Sequence, residues 1–288
     1  MIAPFTTHRP LLFGIAYRML GRVSEAEDMV QEVWLRWQKQ DAAQIQSPKA
    51  WLVAATTRLC IDQLRAARRE REEYYGVWLP EPLMPATTDR EPDAAVELAD
   101  SLTMAFMLML ESLGPTERAV FLLREVFDYD YADIAAIVDK SEVNCRQIVR
   151  RAKTQLQAHA QPPSPPTEQA RRLVEQFLAA AATGEVDNVL ALLADETVLY
   201  SDGGGRVKAA GRPIAGADRV SRFLLGIWPR FAAGMDIRFV DINGNSGCVM
   251  SSQGQVHYAF SFEIAGDRLR NIYIMCNPEK LRHLMANG

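Results

Sequence analysis

The chain has 288 residues, of which 48% are hydrophobic and 24% are charged, and its formal net charge at pH 7 is −4. This balance is ordinary for a soluble globular protein and argues against one that coats nucleic acid through its overall charge. Its apolar runs are too short to span a bilayer, and its start lacks the pattern of a signal peptide. We therefore expect a cytoplasmic protein that does not associate with a membrane. The four cysteines form no CxxC pair and are expected to be buried free thiols that bind no metal.

Helical patterns fill the first 73 residues. The first predicted helix places Leu12, Ile15, Ala16 and Met19 along one face. The second carries acidic residues beside tryptophans, which suits either a basic protein partner or an ordinary solvated face. A third helix is predicted to start at Ser47 and Pro48, a good pair for a cap and a first turn.

The third predicted helix is also basic. Lys49 and Trp51 lie near its start, and an arginine-rich run closes it, comprising Arg58, Arg65, Arg68, Arg69 and Arg71. Cations beside an aromatic ring suit melted or single-stranded DNA, where bases stack and phosphates need neutralising. The alternative is a basic helix end favoured by the helix dipole.

Residues 131–153 predict a helix-turn-helix. Ile134, Ala135 and Val138 are expected to bury one face of its first helix, and Val143 and Ile148 to point inward from the second. Asp139 and Lys140 form the predicted turn, because aspartate tolerates the left-handed conformation, and Ser141 is the expected N-cap. The outward face is basic and amide-rich, which suits DNA but also fits a plain helical hairpin with a solvated face.

Proline-rich stretches at 74–94 and 160–168 are read as linkers that separate three domains, at 1–73, 95–159 and 169–288. In the last domain, helices come first and β-rich runs follow, which predicts an α+β fold with a curved antiparallel sheet. The glycines at 203–205 could suggest a phosphate-binding loop. No helix follows them directly, so we expect a strand-connecting turn instead.

Together these segments resemble the extracytoplasmic-function (ECF) sigma factors. "AYRMLGRVSEAEDMVQEVWLRW" and "SPKAWLVAATTRLCIDQLR" are similar to their region two, and residues 95–158 are similar to their region four. The resemblance implies two all-α domains that bind core RNA polymerase, at the β′ clamp helices and the β flap, and promoter DNA. It implies polymerase docking by Asp28, Gln31, Glu32 and Trp34. It implies minus-ten opening and recognition by Gln46, Ser47, Lys49, Trp51, Arg58, Asp62 and Arg65. It implies minus-thirty-five recognition by Asn144, Arg146, Gln147, Arg150 and Arg151.

The remaining residues resemble a SnoaL-like cone, as found fused to group 41 of the ECF sigma factors. Three motifs carry this likeness: "WLPEPL", "DGGGR" and "NPEKL". The resemblance implies that the cone regulates the sigma regions from within, without a separate anti-sigma factor. Our hypothesis is that the last two motifs hold the first one, with Asp202 and Arg206 as contact charges. The residues expected at this interdomain site are Trp78, Leu79, Pro80, Glu81, Pro82, Asp202, Gly203, Gly204, Gly205, Arg206, Asn277, Pro278, Glu279, Lys280 and Leu281.

The main alternative is a DNA-binding protein whose cone is an enzyme or senses a small-molecule ligand in its pocket. Acid–base candidates for such an enzyme are Tyr200, Asp202, Asp236, His257 and Tyr258. We expect no catalytic residue and no cofactor, because a lone histidine or tyrosine in a sheet is more often structural.

Overall fold

The computed structural model describes residues 2–41, 45–67, 73–84, 101–157 and 167–284. The chain divides into two compact units. The N-terminal unit comprises Met1–Glu73 and Met107–Ala160, and the C-terminal unit comprises Tyr74–Phe106 and Gln161–Gly288.

Parts of three sequence predictions lie outside the described residues: Arg68, Arg69 and Arg71 of the basic run, and residues 85–94 and 160–166 of the two linkers. Within the part of the chain that the structure describes, no helix is both long enough and apolar enough to cross a membrane. The same ranges contain no cluster of three or more histidine, cysteine, aspartate or glutamate side chains that could hold a metal ion.

The N-terminal unit begins with helices α1 (Ile2–Leu20), α2 (Val23–Gln38) and α3 (Pro48–Ala66). The four residues predicted for the apolar face of α1 are all buried. Helix α3 starts as predicted, since the Ser47 hydroxyl accepts a hydrogen bond from the Ala50 amide at 3.3 Å and Pro48 occupies the first turn. Local capping chemistry therefore sets the start of the helix that carries the predicted minus-ten residues.

Helices α4 (Met104–Leu110), α5 (Pro115–Glu125), α6 (Tyr131–Val138) and α7 (Glu142–Gln157) follow. Helices α6 and α7 form the predicted helix-turn-helix. Asp139 ends α6 in the left-handed conformation, at φ 54° and ψ 57°, and the Ser141 hydroxyl accepts a hydrogen bond from the Asn144 amide. Both turn predictions are confirmed.

The predicted inward face of the helix-turn-helix is partly wrong. Ile134 and Ile148 are buried, but Val143 is 62% exposed. Ile137 is buried where Ala135 and Val138 were expected, and both of those are only half-buried. The inward side chains of α7 instead follow a helical repeat, at Cys145, Ile148, Val149, Ala152 and Leu156.

The C-terminal unit combines helices with one six-stranded sheet. Its elements are α8 (Thr167–Thr183), α9 (Val186–Leu190), β1 (Leu193–Asp202), β2 (Ile214–Ala215), α10 (Ala217–Phe231), β3 (Asp236–Ile242), β4 (Asn245–Ser252), β5 (Gln255–Ala265), β6 (Arg268–Met275) and α11 (Pro278–Leu281). The strand order is β2-β1-β6-β5-β4-β3. The predicted fold class, two helical domains followed by an α+β cone, is confirmed.

The sheet is antiparallel except at one pair. Strands β3 to β6 form a meander of antiparallel neighbours, whereas β1 lies parallel to β6. In that parallel pair Tyr200 is opposite Tyr273, and Asp202 is opposite Met275. Because parallel strands end at the same edge, Asp202 and the chain that leaves β6 meet there.

The core lies between one face of the sheet and helices α8 and α10. It contains Phe177 and Trp228 from the helices and Leu199, Phe260 and Phe262 from the strands. Side chains alternate along a strand, so Asp202 points to the opposite face from Leu199. That second face is also buried, at residues such as Val249, Ala259 and Met275.

Candidate nucleic-acid interface and linker site

The proposed polymerase-docking residues lie on α2. Asp28 and Gln31 are exposed, and Glu32 is half-buried and pairs with Arg36 at 2.7 Å. Trp34 is half-buried, with its ring centroid 4.7 Å from that of Phe5. Leu35, which the sequence interpretation missed, is 45% exposed. It lies three and four residues beyond Glu32 and Gln31, so it adds an exposed apolar side chain to this acidic face.

Helix α3 presents the predicted minus-ten residues on several surfaces. Gln46, Lys49 and Asp62 are exposed, and Asp62 pairs with Arg65 at 3.4 Å. Trp51 is half-buried, and its ring centroid lies 5.3 Å from that of the core residue Trp37. Packing therefore limits how far Trp51 is available to stack on a base.

Three cations of α3 contact the predicted region-four half of the same unit. The Arg58 guanidinium donates to the Ile137 and Ala136 carbonyls, at 2.9 and 2.8 Å. Its partners are the last carbonyls of α6, where the helix dipole favours a positive charge. Arg65 donates to the Thr116 hydroxyl at 3.3 Å, and the Lys49 ammonium lies 5.7 Å from the centre of the Tyr129 ring. We call these three pairings the inter-region contact.

A buried arginine reinforces the packing of these two halves. The Arg118 guanidinium donates to the Met19 carbonyl at 2.7 Å and to the Leu110 carbonyl at 3.0 Å. It also pairs with Glu111 at 2.8 Å. Arg118 is 2% exposed, so its charge is satisfied inside the protein rather than by water.

Helix α7 presents the predicted minus-thirty-five residues on its outer side. Arg146, Gln147, Arg150 and Arg151 are exposed, and Asn144 is half-buried. Arg146 pairs with Glu142 at 2.7 Å, and its guanidinium lies 5.0 Å from the centre of the Tyr131 ring. Arg124 lies 5.1 Å from that ring centre, so Tyr131 has guanidinium neighbours from both α5 and α7.

In the C-terminal unit, "WLPEPL" binds the second face of the sheet. The Leu79 amide donates to the Asp202 carboxylate at the end of β1. The Leu83 amide donates to the side-chain oxygen of Asn243 in the β3–β4 turn, and the Leu83 carbonyl accepts from the Asn243 backbone amide. Strands β1 and β4 are three spacings apart, about 14 Å. Four residues extend at most about 14 Å, so this segment crosses the sheet almost fully extended. Pro80 and Pro82 favour that conformation.

We call the contact between "WLPEPL" and the sheet the linker site. A buried ion pair lies at its centre. Lys280 Nζ lies 2.8 Å from Asp202 Oδ2, and the two residues are 2% and 0% exposed. The ammonium also donates to the Leu79 carbonyl. It lies 4.3 Å from the centre of the Trp78 ring and 4.9 Å from that of the Tyr74 ring. Two linker rings and one linker carbonyl therefore surround a cation of the cone.

The Asp202 carboxylate accepts four hydrogen bonds. Tyr74 Oη and the Gly204 amide donate to Oδ1 at 2.6 and 3.0 Å, and the Leu79 amide and Lys280 ammonium donate to Oδ2, each at 2.8 Å. Both oxygens are satisfied, which a buried carboxylate requires. The hydrogen-bonding capacity of this carboxylate is thus taken up within the linker site.

Asn277 joins "NPEKL" to the same site. Its side-chain oxygen caps α11 by accepting from the Glu279 amide at 3.0 Å, while its amide nitrogen donates to Tyr74 Oη at 3.0 Å. Asparagine followed by proline is a strong helix start. The short helix then brings Lys280 and Leu281 into buried positions, and leaves Pro278 and Glu279 exposed.

The glycines of "DGGGR" allow the turn after β1 to pack closely against Asn277. A Cβ on Gly203 would lie 2.3 Å from the Val207 carbonyl oxygen, and one on Gly204 would lie 2.2 Å from Asn277 Nδ2. Gly204 also has φ +58°, which non-glycine residues avoid. Gly205 and Arg206 form the exposed end of the turn, and Arg206 pairs with Glu279 at 3.1 Å. The expected turn, rather than a phosphate loop, is confirmed.

Additional linker contacts come from His283, which the sequence interpretation missed. Its Nε2 donates to the Pro82 carbonyl at 2.7 Å, and its Nδ1 lies 4.0 Å from the carboxylate of Glu81, which is 2% exposed. Only its position two residues beyond "NPEKL" could have indicated it.

The five acid–base candidates do not meet at one site. Asp202 lies in the linker site, Asp236 is exposed, and His257 bonds Ser252 at 3.0 Å. The Tyr200 ring stacks on Tyr273, and burial raises the pKa of Tyr200, with a smaller contribution from Glu263. Burial likewise raises the pKa of Tyr258.

The predicted buried thiols are confirmed. Cys60, Cys145, Cys248 and Cys276 are all free and buried. Burial raises the pKa of Cys248 to about 12, and burial with the nearby Asp202 carboxylate raises that of Cys276 to about 12. Such thiols are poor nucleophiles at neutral pH.

Comparison with known sequences matches both helical parts. Residues 5–70 match the family described as Sigma-70 region 2, and residues 103–156 match Sigma-70, region 4. The ECF RNA polymerase sigma factor SigJ of Mycobacterium tuberculosis (strain ATCC 25618 / H37Rv) is 37% identical over 235 residues, which cover 81% of this chain and 75% of that protein. The probable ECF RNA polymerase sigma factor SigI of Mycobacterium tuberculosis (strain CDC 1551 / Oshkosh) is 30% identical over 99% of this chain and 96% of its own length.

The likeness extends to three dimensions and to the C-terminal unit. A crystal structure of the Mycobacterium tuberculosis extracytoplasmic function sigma factor SigJ matches with a TM-score of 0.78 and 30% identity, covering 98% of each chain. The two sigma regions and the helix-turn-helix described above agree with this match. The chain belongs to the extracytoplasmic-function family of RNA polymerase sigma factors, which direct transcription initiation.

Proposed function

We propose that this sigma factor is regulated in cis, by a C-terminal domain that holds the linker between its two sigma regions. The observation that carries the proposal is the fully buried Asp202–Lys280 pair, whose remaining hydrogen bonds go largely to Tyr74 and Leu79 of that linker. We assign the domains to residues 1–73, 95–159 and 169–288, joined by linkers at 74–94 and 160–168.

The residue roles follow the family resemblance. The exposed face of α2, with Asp28, Gln31 and Leu35, docks on the β′ clamp helices of core RNA polymerase. Helix α3 opens and reads the minus-ten element. Helix α7 reads the minus-thirty-five element, because its arginines and glutamine reach outward as base-reading side chains must.

The inter-region contact supports an inactive free state. Lys49, Arg58 and Arg65 are assigned to DNA, yet in the free protein all three contact residues of region four. Promoter DNA and region four therefore compete for the same cations. The two regions have to separate before α3 can bind the minus-ten element.

The linker site supports control of that separation. Residues 74–83 connect region two to region four, and they are bonded to the cone at Asp202, Asn243 and His283. Fixing the linker at these points shortens the length of chain that is free to span the two regions when they move apart on promoter DNA. Release of "WLPEPL" from the sheet is the step that we assign to activation.

We assign no catalytic role to the cone. Its interior is filled by apolar and aromatic side chains, including Phe177, Trp228 and Phe262, and its acid–base candidates are dispersed. A cleft of about 230 Å³ lies between α8 and strands β3 and β4, but it contains none of those candidates. We expect the protein to act in the cytoplasm without a separate anti-sigma factor, since the linker site already supplies an internal restraint.

Core-dependent run-off transcription tests the proposal. The full-length chain and a chain ending at residue 166 are each assembled with core RNA polymerase and given the same promoter template. Removal of the cone is expected to change the amount of transcript. Equal transcript from the two proteins would contradict regulation in cis.

A further inference from the structure

Val143 is an exposed apolar residue on the recognition helix. It is 62% exposed, in the first turn of α7, directly after the capped start at Ser141. In a helix-turn-helix, the N-terminal residues of this helix contact base edges in the major groove. Val143 therefore lies in the turn of α7 that would face base edges.

Val143 shares its helix face with the proposed base-reading residues. Residues at i, i+3, i+4 and i+7 lie on one side of a helix. Starting from Val143, these positions are Arg146, Gln147 and Arg150, all exposed. The face thus carries one apolar side chain among three long polar ones.

Folding does not explain this position. The inward face of α7 begins at Cys145, two residues later, and continues through Ile148 and Val149. Two residues correspond to a rotation of about 200° around a helix, so Val143 points away from that core. Its side chain is left to solvent in the free protein.

We propose that Val143 contacts the 5-methyl group of a thymine in the minus-thirty-five element and so helps to determine promoter sequence. The inference rests on the proposed assignment of α7 to that element. In the major groove, only thymine presents a methyl group, and apolar side chains are its usual partners. The neighbouring arginines and glutamine read hydrogen-bonding edges, so Val143 adds information that they do not supply.

The surroundings of Val143 make this contact separable from its neighbours. Arg146 is held by Glu142 at 2.7 Å and lies over the Tyr131 ring, so its position does not depend on Val143. Val143→Ala therefore removes two methyl groups from the surface and leaves the adjacent reader in place. Val143→Thr keeps one methyl and the branched shape.

The test combines protein variants with uracil-containing DNA. Holoenzyme made from core RNA polymerase and the full chain first selects its minus-thirty-five element from duplexes that are randomised at that position. Each selected thymine is then replaced by uracil, which removes only the methyl group, and binding is measured. At one thymine, uracil should weaken binding of the native protein about fourfold, as expected for one buried methyl.

The Val143→Ala protein should bind the thymine duplex about fourfold less tightly and be insensitive to uracil at that site. Val143→Thr should remain sensitive. Val186→Ala, which trims an exposed valine in α9 of the other unit, should behave as the native protein. Equal uracil sensitivity of the native and Val143→Ala proteins at every thymine, or a selected element without thymine, overturns the inference.

Arg146→Ala separates failure of this inference from failure of the proposed function. If Arg146→Ala leaves the selectivity of the holoenzyme unchanged, the assignment of α7 to the minus-thirty-five element is wrong and Val143 loses its role with it. If Arg146→Ala lowers the selectivity while Val143→Ala keeps full uracil sensitivity, only the inference on Val143 is overturned.

Discussion

Two cations of this molecule bind backbone carbonyls in very different settings. Arg58, in the N-terminal unit, is an exposed residue that donates to the carbonyls at the end of α6. Lys280, in the C-terminal unit, is buried with a carboxylate, a linker carbonyl and two aromatic rings. Water can replace the partners of Arg58 at little cost, whereas exposing only one member of the Lys280 pair leaves a buried charge without its partner.

This difference ranks the two contacts by strength. In the proposed function, the contact that promoter DNA would displace is the weaker one, and the contact that holds the linker is the stronger one. Control of the sigma regions would then depend on the linker site rather than on the inter-region contact. The following substitutions test that ranking from the strongest contact to the weakest.

The largest effect is expected for Lys280→Met. Loss of the ammonium leaves Asp202 buried without its charge partner, which costs about 3–5 kcal/mol. Hydrogen exchange of the amides at 77–83 should report a fall of that size in the free energy of local opening. Lys208→Met, at an exposed lysine of the same unit, should leave the exchange unchanged. A fall below about 1 kcal/mol for Lys280→Met would show that the pair does not hold the linker.

Gly204→Ala should have the next largest effect, a loss of about 2 kcal/mol in the same opening free energy. The added Cβ would overlap Asn277 Nδ2, which donates to Tyr74, and the backbone would be strained at φ +58°. Gly211→Ala is the matched control, because a Cβ there has open space. Identical exchange in the two variants would mean that the glycine turn does not position Asn277.

Arg58→Met should weaken the N-terminal unit by about 1 kcal/mol, since two hydrogen bonds to partly solvated carbonyls are lost. Exchange of amides near the end of α6, at 136–140, should rise about fivefold. A change as large as that from Lys280→Met would reverse the proposed ranking.

Arg206→Ala should have the smallest effect, within about 0.5 kcal/mol. Arg206 pairs with Glu279, but the two side chains are 65% and 41% exposed, and such surface pairs contribute little. Linker exchange should therefore stay within twofold of the native protein. A larger change would give Arg206 the role in linker binding that its place in "DGGGR" suggests.

Local signals in the sequence were sufficient for the ends of helices and for the turn. Ser47, Asp139 and Ser141 act where they were predicted, because caps and left-handed turn residues depend on chemistry within a few residues. The inward direction of Val143 was wrong, because one valine in a first turn does not reveal which face the tertiary packing will bury.

Long-range pairings could not be read from the sequence. Nothing near β1 indicates that it lies parallel to β6, some 70 residues later, although this pairing brings Asp202 to Asn277. The three motifs were expected to meet, with Asp202 and Arg206 as their contact charges. Asp202 does bind the linker, but its charge partner is Lys280, and Arg206 pairs with Glu279 at the exposed rim. The functional roles of these residues stay predictions.

The central claim is that the cone restrains transcription by holding the linker. The most direct measurement is run-off transcription by core RNA polymerase with the native protein, Gly204→Ala and Gly211→Ala at equal concentrations. Gly204→Ala disturbs the linker site without adding or removing a charge, so it should give more transcript than the native protein, and Gly211→Ala should match the native level. Equal transcript from all three proteins, with faster linker exchange in Gly204→Ala, would contradict the claim.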